Sequence, residues 1–85
     1  MTDDRRAIDV DAVWPADTEE DEGVVVNWFV REGKHVEEGE TLCEIQIEKV
    51  SVDVPAPVTG ELDEIVRAEN DEFGRGDTLA WVQPG

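Results

Sequence analysis

Basic residues are scarce in this chain. Seven Lys and Arg stand against 23 Asp and Glu, a formal charge of −16 over 85 residues. A surface of that sign repels polyphosphate and anionic lipid, which excludes nucleic acid and anionic membranes as partners drawn in by surface potential. Cysteine is nearly absent: Cys43 stands alone, so no internal disulfide or cysteine zinc site can form, and its place in an alternating apolar run suits a small buried hydrophobe. Long apolar stretches are missing too. Nothing approaches the roughly 20 residues of a membrane span, and no signal-peptide core follows Met1, so a soluble, cytoplasmic protein is expected. The sole histidine, His35, lies in a polar stretch beside Lys34 and has no sequence partner for catalysis or metal binding. No segment sustains helical periodicity, and the many carboxylates form neither the spaced aspartate loop of a calcium site nor an acid/base pair. At this length the chain can form one domain with a modest core and little room for an internal cleft. The expectation is a non-catalytic domain without catalytic or metal-ligating residues. Its acids are spread along the sequence, as in proteins of salt-loving organisms or in surfaces that dock basic partners, and the sequence leaves both readings open.

Only two lysines are present, Lys34 and Lys49, and the second has an unusual setting. Thr41-Leu42-Cys43-Glu44-Ile45-Gln46-Ile47 precedes Glu48-Lys49, and Val50-Ser51-Val52-Asp53-Val54 follows. Two alternating runs around two residues are the pattern of a β-hairpin. Pairing them puts Ile47 opposite Val50, Ile45 opposite Val52 and Cys43 opposite Val54, with the apolar residues on one face and Lys49 held at the tip. Neither turn residue is Gly or Asn, which predicts a type I turn. Pro55 and Pro57 mark the end of the second strand, since proline cannot donate to a ladder.

The chain also repeats itself. A shift of 37 positions lays Gly23 on Gly60, Gly39 on Gly76, Thr41-Leu42 on Thr78-Leu79, Trp28 on Ile65, Phe29 on Val66, Val36 on Phe73 and Glu32 on Glu69. With a longer first connection allowed, Ala12-Val13-Trp14-Pro15 is read as a strand over Val52-Asp53-Val54-Pro55. Each half then holds about four short strands, and neither half can bury its apolar face alone. The predicted fold is all-β: a flattened barrel or sandwich of two roughly four-stranded antiparallel sheets with pseudo-two-fold symmetry. The domain is expected over 8–83, with 1–7 a flexible lead and 84–85 an end or the start of a linker. Chain ends near Ile8 and Val82 should meet, away from Lys49. Gly33, Gly39, Gly60 and Gly76 are read as turn or close-approach positions. The acidic run Asp17 to Glu22 is read as a solvated loop, and Trp14, Trp28 and Trp81 as strand residues of the core or sheet faces.

The segment from Glu44 to Gly60, with its acidic residue, lysine, valine, alternating apolar residues, prolines and glycine, resembles the lipoyl domain of 2-oxo acid dehydrogenase complexes. Gly33 lies 16 positions before the lysine and Gly60 lies 11 after it, and Glu22 to Gly33 looks like that family's second strand and turn. The resemblance covers about residues 8 to 83. It implies that Lys49 carries lipoate through an amide, as a swinging arm for acyl and electron transfer. The partners it implies are a lipoate ligase or octanoyl/lipoyl transferase, a thiamine-dependent 2-oxo acid decarboxylase, an acyltransferase core and dihydrolipoyl dehydrogenase. Glu48 and Val50 are its candidates for recognition by those enzymes, with an ordinary role as turn residues equally open. A biotin carboxyl carrier domain, with biotinyl-Lys49, is the alternative. In that relative the lysine stands between two methionines, whereas Glu48 and Val50 stand here. An unmodified acidic β-sandwich adaptor is a third reading. Ile47 and Glu48 replace the small polar residue and aspartate usual in the lipoyl family, departures that bear on which ligase or complex accepts the domain.

Overall fold

Alternation with a period of two is realised along most of the chain. The computed structural model describes residues 4–85, in eight strands: β1 (Arg6–Asp9), β2 (Glu22–Trp28), β3 (His35–Val36), β4 (Thr41–Ile47), β5 (Val50–Pro55), β6 (Gly60–Ile65), β7 (Glu72–Gly74) and β8 (Thr78–Pro84). They form two four-stranded antiparallel sheets, ordered β1-β8-β6-β3 and β5-β4-β2-β7. Together they make a flattened sandwich and not a closed barrel. Ile8, Val25, Val36, Leu42, Ile45, Ile47, Leu62, Phe73, Leu79 and Val82 fill the space between them. The chain ends meet as expected, Arg6 pairing with Val82 and Ile8 with Ala80. Of the leading segment 1–7, residues 1–3 lie outside the described residues, and Arg6 and Ala7 already belong to β1.

The repeat governs backbone pairing in detail. Under the 37-residue shift β2, β3 and β4 map onto β6, β7 and β8, and the two sheet orders become the same order with β5 in the place of β1. Lys34 N–H donates to Arg31 O as Asp71 N–H does to Ala68 O, both at about 3 Å. Gly33 N–H donates to Leu62 O and Asn70 N–H to Val25 O, each at 2.7 Å. Two carboxylates cross between the copies in the same reciprocal way: Glu32 accepts from Ile65 N–H at 2.8 Å and Glu69 from Trp28 N–H at 3.2 Å. Even the bulges recur. The β4–β5 ladder skips Leu42 and the β1–β8 ladder skips Leu79, so Leu42-Cys43 and Leu79-Ala80 each turn two consecutive side chains into the core, all four fully buried.

One strand lies elsewhere than the sequence indicates. Ala12 to Pro15 is not the partner of Val52 to Pro55; Asp11–Val13 form a single 3-10 turn, and Arg6–Asp9 take the strand position. The proline after Trp14 imitates the one after Val54, but Ala12, which a strand would turn to the same face as the buried Val10 and Trp14, is exposed, as it is in a turn. Trp14 is therefore no strand residue. It packs edge-on against Phe73, ring centroids 6.3 Å apart, and its indole donates to Glu20 O at 3.0 Å.

Candidate functional site

The β4–β5 hairpin pairs as its pattern requires: Ile47 with Val50, Ile45 with Val52, Glu44 with Asp53 and Cys43 with Val54. Ile45 and Ile47 are buried, whereas Val50 is 46% exposed. Since β5 is an edge strand, the far end of the apolar face runs past the core and stays in solvent. Glu48 and Lys49 form the turn, both exposed. Among the described residues Lys49 makes no ion pair or side-chain hydrogen bond, so its amine competes with no internal partner.

The turn is not type I. Glu48 has φ of +56° and Lys49 has no positive φ, which is the sign pattern of a type II′ turn, whose twist matches that of the flanking strands. A non-glycine residue is uncommon there, and neighbours hold it. Gln46 Nε2 donates to Glu48 O at 3.2 Å. Thr18 Oγ1 donates to the Glu48 carboxylate at 2.9 Å and accepts from Glu20 N–H at 3.1 Å. Because Glu20 O in turn accepts from Trp14, a relay runs from the core through the β1–β2 connection to the turn. The acidic loop is thus attached to the tip and not merely solvated. Thr18 and Gln46 escaped sequence reasoning; the one available signal was the greater length of the first connection.

Glu20, Glu22, Glu48 and Glu72 surround a shallow groove beside the turn, over a floor of Gly23 and Val24. Its walls carry acid and no base. The Cys43 thiol is fully buried, and burial raises its pKa from 9.0 to about 12, so it stays protonated and unreactive. His35 faces Glu37 at 3.1 Å in solvent, on β3 of the other sheet. What the arrangement offers is an exposed primary amine at the tip of a paired hairpin, accessible to a second protein.

Among the expected turn glycines, Gly60 is demanded by contact: a Cβ there would land on the carbonyl of Gln83 in the neighbouring strand. Gly33 has φ of +89° and its counterpart Asn70 has +74°, a region that glycine enters freely and asparagine more readily than most other residues. Gly39 is also at positive φ, at +88°, but Gly76 is not, and a Cβ at Gly76 would meet open space.

The model of the biotin/lipoyl family, described as "Biotin-requiring enzyme", matches residues 15–82. The chain is 38% identical over 61 residues to the dihydrolipoyllysine-residue acetyltransferase component of the pyruvate dehydrogenase complex of Staphylococcus aureus. It is 36% identical over 61 residues to the same component of Staphylococcus epidermidis. In each case the match takes 72% of this chain and 14% of the relative, so the chain spans about a seventh of these proteins. Among solved structures, the lipoyl domain of the 2-oxoglutarate dehydrogenase complex from Azotobacter vinelandii superposes with a TM-score of 0.67 at 28% identity, covering 86% of this chain and 91% of that one. A single-chain, multi-domain long-chain acyl-CoA carboxylase contains the same fold, with a TM-score of 0.77 at 18% identity over 100% of this chain and 8% of its own.

Proposed function

Because the chain belongs to the biotin/lipoyl attachment family, we propose that it is a lipoyl carrier domain in which Lys49 Nζ forms the amide with lipoate. The observation that carries this reading is the exposed, unpaired amine at the tip of the β4–β5 hairpin, at the centre of the segment that resembles lipoyl domains. Bound lipoate supplies a dithiolane that takes up acyl groups and electrons. The domain itself contributes presentation: the paired strands β4 and β5 hold the base of the arm at the hairpin tip. Val50, half out in solvent, and Glu48 are the surfaces that a modifying enzyme meets beside the lysine. The domain takes in β1 to β8, residues 6–84, and serves as a non-catalytic module of an acyltransferase subunit in a 2-oxo acid dehydrogenase complex. The decarboxylase, acyltransferase core and dihydrolipoyl dehydrogenase of that complex are its partners.

The test is intact mass after co-expression with a lipoate ligase and lipoate. A single lipoyl increment that disappears in Lys49→Ala is expected. No increment, or one that survives the substitution, sinks the assignment, and streptavidin capture after exposure to a biotin ligase would transfer it to biotin.

A further inference from the structure

We propose, resting on Lys49 as the attachment residue, that Thr18 is a positioning residue that sets the attitude in which the Lys49 turn is offered to its modifying enzyme. The two places where the chain departs most from its own repeat touch each other. One is the connection from β1 to β2, which spans residues 10–21 where its counterpart from β5 to β6 spans only 56–59. The other is the Glu48-Lys49 turn, whose counterpart in the second sheet is the pair of chain ends beyond Arg6 and Val82. The bond between them is Thr18 Oγ1 to Glu48 Oε2, at 2.9 Å.

Three features make this contact a positioning device. Glu48 sits at φ of +56°, which a non-glycine residue keeps only when its surroundings hold it there. Two hydrogen bonds supply that hold, one from Gln46 to the Glu48 main chain and one from Thr18 to its side chain. Thr18 is itself fixed, through Glu20 N–H and the Trp14 indole, to a side chain that is 6% exposed. The loop therefore couples the attachment turn to the core, and Thr18 is the only described side chain from outside β4 and β5 with a hydrogen bond to that turn.

The experiment uses the unmodified chain and the variants Thr18→Val, which keeps the shape and removes the hydroxyl, and Thr18→Ser, which restores it. Backbone ¹⁵N relaxation and amide exchange at residues 48–50 read the turn directly, and lipoate ligase kinetics read its presentation. Thr18→Val should lower order at 48–50 and raise the ligase KM for the domain roughly two- to tenfold, the factor one hydrogen bond corresponds to, at constant kcat. Thr18→Ser should return both to the parent values. Unchanged order at 48–50 in Thr18→Val, or a loosened turn with unchanged KM, overturns the proposal. If the parent chain takes no lipoate at all, the attachment reading fails by itself, and the relaxation data still decide whether Thr18 fixes the turn.

Discussion

The sheet that carries Lys49 and the sheet that carries the chain ends are built on one plan, and the positions where they part are informative because the molecule supplies its own replicate. Cys43 in one sheet stands where Ala80 stands in the other, both fully buried. Glu44 faces Asp53 in one, and at the equivalent place Trp81 faces Ala7 in the other. Ladder bulges, reciprocal carboxylate-to-amide bonds and the glycines that open β2 and β6 recur, and these are the parts that hold two thin sheets together. What does not recur is the long first connection and the closed turn it touches. Recurrence therefore marks scaffold, and the departures meet at the turn proposed for attachment.

The recurring glycines give the sharpest way to break this equivalence. At Gly60 a Cβ would strike backbone, the Gln83 carbonyl, with Pro84 Cα 2.9 Å away. At Gly23 the nearest obstacle is a side-chain atom, Phe73 Cζ at 2.8 Å, followed by Gln46 O at 3.0 Å. Backbone in a ladder cannot step aside, whereas a ring can tilt. Gly60→Ala should lose about 3 kcal/mol or more, and Gly23→Ala about 1–2 kcal/mol, in urea melts. Equal losses would show that the two approaches are equally rigid and that the plan is closer to exact than the contacts imply.

Cys43 against Ala80 offers a pH-dependent contrast. The folded thiol has its pKa raised by burial to about 12 from an ordinary 9.0, so the folded state holds this proton more tightly than the unfolded chain does. Its contribution is complete below about pH 9 and is lost as pH climbs toward 12. Cys43→Ala, which makes the two sheets alike here, should cost on the order of 1 kcal/mol at neutral pH through the space it leaves, and should flatten the alkaline fall in stability. Urea melts of both proteins from pH 8 to 11 give the difference; parallel curves would mean that the thiol does not drive the fall.

The reciprocal carboxylates should behave as a matched pair. Glu32→Ala and Glu69→Ala each remove one acceptor from a strand amide of the other copy, and each should cost about 1 kcal/mol. Thermal melts in which one substitution costs much more than the other would show that the halves are latched unevenly.

Much of this plan was legible because side chains in strands alternate strictly. The β4–β5 register and the lysine at the tip followed from that period, and the fold class from the 37-residue repeat of short strands laid over it. The type of turn did not, because composition argued against positive φ at Glu48 while the hydrogen bonds that enforce it come from Gln46 on a neighbouring strand residue and from Thr18, thirty positions away in sequence. The exposure of Val50 did not follow from the period either: alternation specifies which face a side chain shares, and the extent of the opposing sheet decides whether anything covers it. The first strand was misplaced because Trp14-Pro15 imitates Val54-Pro55 as a buried residue before a proline, while the exposure of Ala12 that marks a turn is not written in the letters.

The smallest effect lies where the sheets differ in charge. Glu44 and Asp53 are directly opposed on neighbouring strands, a like-charge pair that opposes folding by a few tenths of a kcal/mol, up to about 1 kcal/mol. The matching pair, Ala7 and Trp81, has no such conflict, and Arg5 lies over the Trp81 ring at 5.0 Å. Salt acts on the molecule in two directions. It weakens surface ion pairs such as Arg5 with Asp63 at 3.1 Å and Arg75 with Asp11 at 3.0 Å, which contribute little when exposed. It also screens repulsion among 23 acids that only seven bases offset, over about 10 Å at 0.1 M and less at higher salt. Repulsion involves far more pairs, so the second effect wins and the melting temperature should rise from dilute to molar potassium chloride. Asp53→Asn should raise stability in dilute buffer and reduce the further gain from salt. A melting temperature that falls with salt would mean that the few ion pairs outweigh the general repulsion, and that the acidic surface is folded around its bases and not in spite of its acids.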